Sequence, residues 1–312
     1  MLYFILDHMV HMGVMVILAL SLNLINGFTG MFSLGHHGFF AVGAYAAGAL
    51  LLYTMPAGAG VGVGISWFLA SLLVGMLAAA LFGLIVGVPC LRLKGDYLAI
   101  ATLGFGEIVR IIIQNTEAVG GARGLEVEYT LLTRTADTQM AYVVLYGVLV
   151  ALGAVLVYVV IHNLLRSTHG RALIAIREDE IAAELLGVSL SRYKVLAFVL
   201  GAGMAGLAGA LYLNYMTQIE PREFNLLKGI YILLYVVLGG MGSLSGTVLA
   251  TILLYVLDKI VLNLMPPSIQ SWREVMFAML LILLMIGRPQ GLLGSREINE
   301  TALWKTLSGR SS

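Results

Sequence analysis

Residues 166–194 read RSTHGRALIAIREDEIAAELLGVSLSRYK, and this stretch differs sharply from the sequence on either side of it. It holds nine charged side chains in a chain of 312 residues that is 60% hydrophobic and only 11% charged. Apolar segments of about 20 residues, the length that crosses a bilayer, precede and follow it. We call residues 166–194 the charged loop and expect it to face water and a partner.

The remaining sequence predicts an all-α, polytopic helical membrane protein. Its mean hydropathy is +0.95, and long apolar runs with few charges are typical of transmembrane helices. Glycine-rich 28–53 and short 225–241 are candidates for broken or re-entrant helices, so eight to ten spans are expected in a single transmembrane domain, residues 1–312. The candidate spans are 4–26, 28–53, 65–88, 97–115, 140–162, 193–215, 225–241, 245–264 and 271–287.

The positions of lysine and arginine predict the orientation, because cytoplasmic loops carry an excess of these residues. Eleven of the eighteen basic residues gather on one side if the charged loop, the 92–94 turn and a short tail at 288–312 are all cytoplasmic. We therefore expect the C-terminus inside and, for nine spans, the N-terminus outside. The eleven are Arg92, Lys94, Arg166, Arg171, Arg177, Arg192, Lys194, Arg288, Arg296, Lys305 and Arg310.

Within the charged loop, the pattern predicts a short helix at 180–186. Asp179 is a good N-cap, because its side chain can accept hydrogen bonds from free backbone N–H groups. Glu180 suits the helix dipole, and Gly187 suits the left-handed position after the last turn. Glu180 and Glu184 share one side. The other side is apolar, with Ile181, Ala182, Leu185 and Leu186. Such a helix between two spans is typical of a docking element; the alternative is an ordinary solvated loop.

Two further patterns concern the apolar segments. Glu107 and Arg110 lie three residues apart on one helix face, where they can pair. Ionisable groups at membrane depth usually face the bundle interior or a water-filled path, so they predict a polar lining or gate, with a structural ion pair as the alternative. Small residues recur every four positions at Gly201, Ala205 and Gly209, and again at Ala202, Gly206 and Ala210, which predicts close helix packing.

A weak internal repeat is also visible. Residues 30–34, GMFSL, resemble residues 240–244, GMGSL, and each group lies at the junction of two apolar segments. The alternative is chance recurrence in a chain rich in glycine, serine and leucine. If the repeat is real, it predicts related halves with interrupted helices around a central site.

The sequence lacks the motifs of several catalytic classes. It has no Gly-Lys dipeptide, and so no Walker A loop for ATP phosphates. It has no zinc-protease or nucleophile-elbow motif. Its six histidines do not stand at metal-ligand spacing with cysteines or carboxylates. We therefore expect no enzyme activity, metal or cofactor on this chain, and no nucleic-acid partner. Any ATP hydrolysis would belong to another polypeptide.

Five segments carry a family resemblance when read in order: NLINGFTGMFSLGHHGFFAVGAYAAG, RLKGDYLAIATLGFGEIVRIIIQN, GRALIAIREDEIAAELLGVSLSRYK, VLGGMGSLSGTVLA and RPQGLLG. Together they resemble the LivM-type permease subunits of high-affinity branched-chain amino-acid ABC importers. The resemblance covers nearly the whole chain, and it is the combination of segments rather than any one of them that is specific.

The resemblance implies a multi-pass protein of a bacterial or archaeal plasma (inner) membrane. The implied partners are the lipid bilayer, a second homologous permease of the LivH type, two cytoplasmic ATPase subunits that use ATP and Mg²⁺, and an extracytoplasmic binding protein. Residues 163–192 then match the family's coupling segment, which docks on the ATPase. They depart from the usual EAA…G pattern in the spacing from glutamate to glycine. The implied coupling residues are Arg171, Arg177, Glu178, Asp179, Glu180, Ala182, Ala183, Glu184 and Gly187.

The resemblance further implies transport of leucine, isoleucine or valine, although close relatives in the family carry urea or short amides. A zwitterionic amino acid needs donors for its carboxylate, which the N-terminus of a broken helix can supply, and acceptors for its ammonium. The candidate pathway residues are Asn23, Asn26, Thr29, Ser33, Glu107 and Arg110. For each, the alternative is an interhelical hydrogen bond. An ion-coupled transporter with Glu107/Arg110 or Asp258/Lys259 as relay is the rival of a different class.

Overall fold

The computed structural model describes residues 2–56, 61–90, 93, 95–127, 139–261, 272–287 and 290–294. Over these ranges the chain forms eleven α-helices and one short pair of strands. Arg92, Lys94 and the tail beyond residue 294 lie outside the described residues, so the prediction of a cytoplasmic tail rests on sequence there.

Six long helices form the body of the structure. They are α1 (Leu2–Asn23), α2 (His36–Thr54), α3 (Val61–Cys90), α4 (Asp96–Asn115), α5 (Gln139–Arg166) and α8 (Leu190–Met216). The shorter ones are α6 (Thr168–Glu178), α7 (Glu180–Leu185), α9 (Leu226–Gly239), α10 (Leu244–Tyr255) and α11 (Arg273–Gly287). π-helical turns at Leu24–Phe28 and Val256–Val261 extend α1 and α10.

Each of the nine predicted spans contains a helix. Among the described residues, five helical segments are long and apolar enough to cross a membrane: Tyr3–Phe28, His36–Thr54, Val63–Cys90, Gln139–Arg166 and Leu190–Met216. The prediction of a span beginning at residue 28 is wrong, because α2 begins only at His36. Gly30, with φ of 72°, breaks the helical path first, and residues 30–34 are not helical.

The helix α8 is the central element, and small residues explain why. Within the most apolar membrane-length stretch of α8, 72% of the residues are buried, against 28% in α3 and 22% in α5. A Cβ atom on Gly206 would lie 2.5 Å from the carbonyl oxygen of Gly75 in α3, and one on Gly209 would lie 2.7 Å from the backbone nitrogen of Ala44 in α2. The predicted close packing through small residues is therefore confirmed, since no larger side chain fits at these contacts.

The two ends of the bundle differ in chemistry. The charged loop, with α6 and α7, lies at the N-terminal end of α8. At the other end, about 40 Å away for a 27-residue helix, β1 (Leu125–Glu126) pairs antiparallel with β2 (Gln218–Ile219). Three 3-10 turns, Glu117–Val119, Gly121–Arg123 and Pro221–Glu223, lie beside these strands in the chain. The charged loop is thus confined to one end of the molecule.

Candidate functional site

The short helix α7 forms as the sequence predicts, and its ends have identifiable causes. The side chain of Asp179 accepts hydrogen bonds from the backbone N–H groups of Ile181 and Ala182, at 2.8 and 3.0 Å. Gly187 adopts φ of 83° after the last turn. The N-cap and the left-handed glycine are therefore confirmed, although α7 ends at Leu185, one residue before the predicted end.

The apolar side of α7 projects into solvent. Ile181 is 72% exposed, and Leu185 and Leu186 are each 83% exposed. Ala183 is buried and faces the rest of the charged loop, whereas Ala182 and Glu184 are exposed. Isolated apolar side chains on a surface are common, but two on a six-residue helix with a third on its C-cap residue make a patch of the kind that partner proteins cover. We call Ile181, Leu185 and Leu186 the α7 patch.

Glu180 is partly exposed, and its carboxylate is also paired with a residue of the bundle. Its carboxylate forms an ion pair with the ammonium of Lys194 in α8, at 2.5 Å, and Lys194 is buried. This pair ties the docking helix to the central helix of the bundle. Three other predicted coupling residues, Arg171, Glu178 and Glu184, are exposed.

Arg177 lies at the end of α6 and points towards the membrane part of the structure. A Cβ atom on Gly30 would lie 3.3 Å from Cγ of Arg177, and a Cβ atom on Gly242 would clash with its Nη1 atom. Gly30 belongs to the junction between α1 and α2, and Gly242 to the junction between α9 and α10. Arg177 therefore contacts both helix junctions from the charged loop. The space that its side chain occupies exists because neither Gly30 nor Gly242 carries a side chain.

The two junctions also bind each other. Asn23, at the end of α1, accepts a hydrogen bond from the backbone N–H of Gly242 at 3.1 Å. It donates to the carbonyl oxygen of Ser243 at 3.0 Å and to the hydroxyl of Thr247 at 2.8 Å. All four residues are buried, so this contact is a fixed link between the two junctions.

A second asparagine shapes the first junction. Asn26 accepts a hydrogen bond from the backbone N–H of Ser33 and donates one to the carbonyl oxygen of Ser33, both at 3.1 Å. Thr29 donates to the carbonyl oxygen of Leu24 at 2.9 Å. The bonds of Asn23 join α1 to α10, which is the interhelical bonding given as the alternative, whereas those of Asn26 and Thr29 stay within the first junction. A role of these residues in a substrate pathway stays a prediction.

The segment that follows Gly30 contains buried polar atoms, and some of them lack a hydrogen-bond partner among the described residues. Ser33, His36 and His37 are at most 1% exposed. Nε2 of His36 bonds the hydroxyl of Ser21 at 2.7 Å. In contrast, Oγ of Ser33, Nδ1 of His36, Nε2 of His37 and Oε1 of Glu107 have no hydrogen-bond partner among the described residues. More than nine in ten buried polar groups in proteins are bonded, so such atoms in one place indicate a site for something else.

Glu107 and Arg110 form the predicted pair on α4. Nε of Arg110 donates to Oε2 of Glu107 at 2.7 Å, and Nη1 donates to Oε1 of Gln114 at 3.2 Å. The other carboxylate oxygen of Glu107, Oε1, lies 3.7 Å from Nε2 of His37. The structure therefore brings His37 and Glu107 together, and Ser33 lies four residues before His37 in the segment that leads into α2. We call Ser33, His37 and Glu107 the buried polar site.

Adjacency at a glycine-rich junction was the one sequence signal that pointed to His36 and His37. Their burial depends on glycines in two other helices. A Cβ atom on Gly229 of α9 would lie 2.6 Å from Nδ1 of His37, and one on Gly106 of α4 would overlap its ring. The imidazole of His37 is thus enclosed between α4 and α9.

The described C-terminal segment 290–294 closes the second junction. The backbone N–H of Leu292 donates to the carbonyl oxygen of Leu238 at 2.7 Å, and that of Leu293 to the carbonyl oxygen of Gly239 at 3.4 Å. These bonds satisfy two carbonyl groups at the C-terminal end of α9, which a helix otherwise leaves open. The segment RPQGLLG therefore has a structural role where it is described.

The described residues contain no cluster of three or more histidine, cysteine, aspartate or glutamate side chains that could hold a metal ion. The other ionisable pair considered from the sequence, Asp258 and Lys259, forms an ion pair of 3.2 Å on the π-helical turn after α10.

Comparison with known proteins agrees with this architecture. The family model "Branched-chain amino acid transport system / permease component" matches residues 4–285. The permease protein LivM of a Salmonella typhimurium high-affinity branched-chain amino acid transport system is 38% identical over 301 residues, covering 89% of this chain and 67% of the relative. A probable LivM permease of Methanocaldococcus jannaschii is 28% identical over 330 residues, covering 92% of each chain.

The permease protein LivH of a high-affinity system of Salmonella typhimurium is 33% identical over 134 residues, 43% of this chain and 42% of the relative. No solved structure matches the chain at a significant level. The relatives are transport permease subunits rather than enzymes. With its apolar helices and a family match over most of its length, the chain belongs to the family of permease components of branched-chain amino acid transport systems.

Proposed function

We propose that this chain is a membrane permease subunit of an ATP-driven importer for leucine, isoleucine and valine. The observation that carries the proposal is the α7 patch: three exposed apolar side chains on a capped helix, at the end of a protein that itself lacks an ATP-binding loop. The names of the relatives support the substrate class.

The α7 patch supplies the contact with a cytoplasmic ATPase subunit. Burying one leucine or isoleucine side chain in an interface contributes about 1.5–3 kcal/mol, so Ile181, Leu185 and Leu186 together provide substantial binding energy. The Asp179 cap holds α7 as a helix before the partner arrives, which reduces the entropy lost on docking. ATP and Mg²⁺ are bound by the ATPase subunits and not by this chain.

Movement of the ATPase reaches the membrane through two contacts of the charged loop. The Glu180–Lys194 ion pair connects α7 to α8. Arg177 connects α6 to Gly30 and Gly242, at the two helix junctions. A displacement of the loop therefore acts on both junctions together, and it shifts the population between two packings of the helices.

The remaining partners follow from the family. A LivH-type permease completes the membrane core, which the partial likeness of this chain to LivH supports. An extracytoplasmic binding protein delivers the amino acid. The protein lies in the plasma membrane with the charged loop and the C-terminus in the cytoplasm; residues 291–294 bind the end of α9 that leads to Gly242, which is the junction that Arg177 contacts.

The substrate pathway passes the buried polar site. Ser33, Glu107 and Arg110 contribute its polar groups, and Glu107 and Ser33 retain atoms without a partner in the described chain. Asn23, Asn26 and Thr29 shape the pathway by fixing the backbone on either side of it.

Co-purification with the ATPase subunits tests the proposal. The double variant Leu185→Asp with Leu186→Asp places charge on the patch, and we expect at least about a tenfold loss of bound ATPase. The matched control, Leu185→Met with Leu186→Met, keeps an apolar surface of similar volume and should retain it. Full retention of the ATPase by the aspartate variant would refute docking through α7.

Two further measurements separate the alternatives. Ligand binding by the cognate extracytoplasmic protein should favour leucine, isoleucine and valine over urea and acetamide; the reverse order would assign this chain to the urea and amide branch. Accumulation of solute by this chain alone in a pH or sodium gradient would contradict the ATP-driven mechanism and support an ion-coupled transporter.

A further inference from the structure

We propose that the first turn of α2, with Ser33, His37 and Glu107, binds the charged head group of the transported amino acid. This inference rests on the proposed function and extends it, because it assigns the ammonium and the carboxylate of the substrate to particular groups. It starts from the buried polar atoms that have no partner among the described residues.

Two of the unpartnered atoms, on His37 and Glu107, lie close together, and the third belongs to Ser33, four residues before His37. Ser33 and His37 lie within five residues of one another, and Oε1 of Glu107 is 3.7 Å from Nε2 of His37. Ser33 and His37 are 0% exposed. A hydroxyl and an imidazole can donate hydrogen bonds, whereas an ionised carboxylate only accepts them. The site thus offers donors on α2 and its preceding segment, and an acceptor on α4.

The start of α2 adds a positive electrostatic contribution. α2 is a helix of 19 residues that begins at His36, and its N-cap, Gly35, forms no side-chain cap. The N-terminus of such a helix carries free N–H groups and partial positive charge, which favour a carboxylate. Because this end of α2 is buried among atoms that lack partners, a ligand carboxylate rather than bulk water is suited to it.

Glu107 supplies the negative counterpart. Nε of Arg110 donates to Oε2 of Glu107, whereas Oε1 makes no hydrogen bond among the described residues and faces Nε2 of His37 at 3.7 Å. A group that combines a carboxylate and an ammonium a few ångströms apart matches a helix N-terminus next to a carboxylate. A plain amine or a plain carboxylic acid satisfies only half of these groups.

Entry to the site requires movement of α9. Gly229 brings α9 against Nδ1 of His37, and the backbone of Gly106 lies against the other side of the ring. α9 has only 14 residues and ends at the junction that Arg177 contacts. Motion of the charged loop therefore acts on the same helix that covers His37, which links docking of the ATPase to access to the head-group site.

Ligand binding to the purified importer complex in lipid nanodiscs without ATP tests the assignment. The probes are L-leucine, 3-methylbutylamine, which lacks the carboxylate, and 4-methylpentanoate, which lacks the ammonium. We expect leucine to bind at least about tenfold more tightly than either analogue. Equal binding of all three probes would overturn the proposal.

Two variants locate the contacts. Glu107→Gln should weaken leucine binding by about tenfold and leave 4-methylpentanoate binding unchanged or improved, because the ammonium loses its charged acceptor. Glu117→Gln is the matched control; it removes the same charge from an exposed position just after α4 and should change neither affinity.

Ser33→Ala gives a test that does not depend on tolerance of a charge change. The hydroxyl of Ser33 has no bond to lose among the described residues, so the unliganded variant should unfold at a temperature no lower than that of the wild type. Leucine affinity should fall about two- to tenfold, the value of one hydrogen bond. If both Glu107→Gln and Ser33→Ala leave leucine affinity unchanged in an assembled complex, the head-group site is refuted while the proposed function stands; failure of the wild-type chain to assemble with an ATPase refutes the proposed function instead.

Discussion

The link between the two helix junctions leads to a quantitative prediction for Asn23→Ala. The side chain of Asn23 is fully buried and makes three hydrogen bonds, to the N–H of Gly242, the carbonyl oxygen of Ser243 and the hydroxyl of Thr247. Alanine removes all three at once. The effect on stability depends on which of the three partners are then left without a bond.

Only one partner is left unsatisfied. The carbonyl oxygen of Ser243 still accepts from the N–H of Thr247 at 3.2 Å and from its hydroxyl at 2.9 Å. The N–H of Gly242 is buried and loses its acceptor, which costs about 1–3 kcal/mol. Hydrogen bonds between helices in a membrane contribute about 0.6 kcal/mol each on average. We therefore expect Asn23→Ala to lower the free energy of unfolding by about 2–4 kcal/mol.

Reversible unfolding of the purified protein in mixed detergent micelles measures this difference. Thr247→Val is the companion variant, because it removes two hydroxyl bonds, one from Nδ2 of Asn23 and one to the carbonyl oxygen of Ser243, and leaves Nδ2 of Asn23 bonded to Ser243. At about 0.6 kcal/mol for each bond, it should cost about 1 kcal/mol. A cost for Asn23→Ala that is no greater than that of Thr247→Val would show that the Gly242 N–H is not held as described, and the argument for linked junctions would fail.

Three other changes test separate features. Arg177→Ala should keep the ATPase bound but reduce amino-acid uptake per ATP hydrolysed, because the loop loses its contact with Gly30; unchanged uptake per ATP in proteoliposomes would contradict this. Gly206→Leu should abolish the folded protein in size-exclusion chromatography, since α3 and α2 leave no space for a side chain there, and a monodisperse peak of normal yield would contradict the packing. Gly187→Ala should cost only about 1 kcal/mol, from its φ of 83°, because a Cβ atom there meets no neighbour within 4 Å; thermal unfolding of this variant beside the wild type measures the cost, and loss of the folded protein would contradict it.

Local signals in the sequence predicted the features that depend on a few neighbouring residues. The Asp179 cap and the Gly187 turn follow from interactions within one helical turn, and they are observed. The pair Glu107–Arg110 follows from helical spacing alone. Apolar runs predicted nine helix positions, because length and hydropathy suffice to identify a helix of this kind.

Contacts between distant residues were not predictable. Asn23 bonds Gly242 across 219 positions of the chain, and no local pattern indicates the partner. Lys194 appeared to be one more solvated charge of the loop, yet it is buried against Glu180. Hydropathy also fails to say which face of a membrane helix meets lipid and which meets protein, because both environments are apolar. The burial of His36 and His37 therefore became visible only in the structure.

The segment that seals the second junction has a consequence for biosynthesis. Residues 291–294 bind the carbonyl oxygens of Leu238 and Gly239, but the ribosome makes them after every described helix. The turn between α9 and α10 is therefore synthesised before the residues that bind it. A nascent chain stopped just before Gly291 would contain every described helix and still lack the final closure of α9.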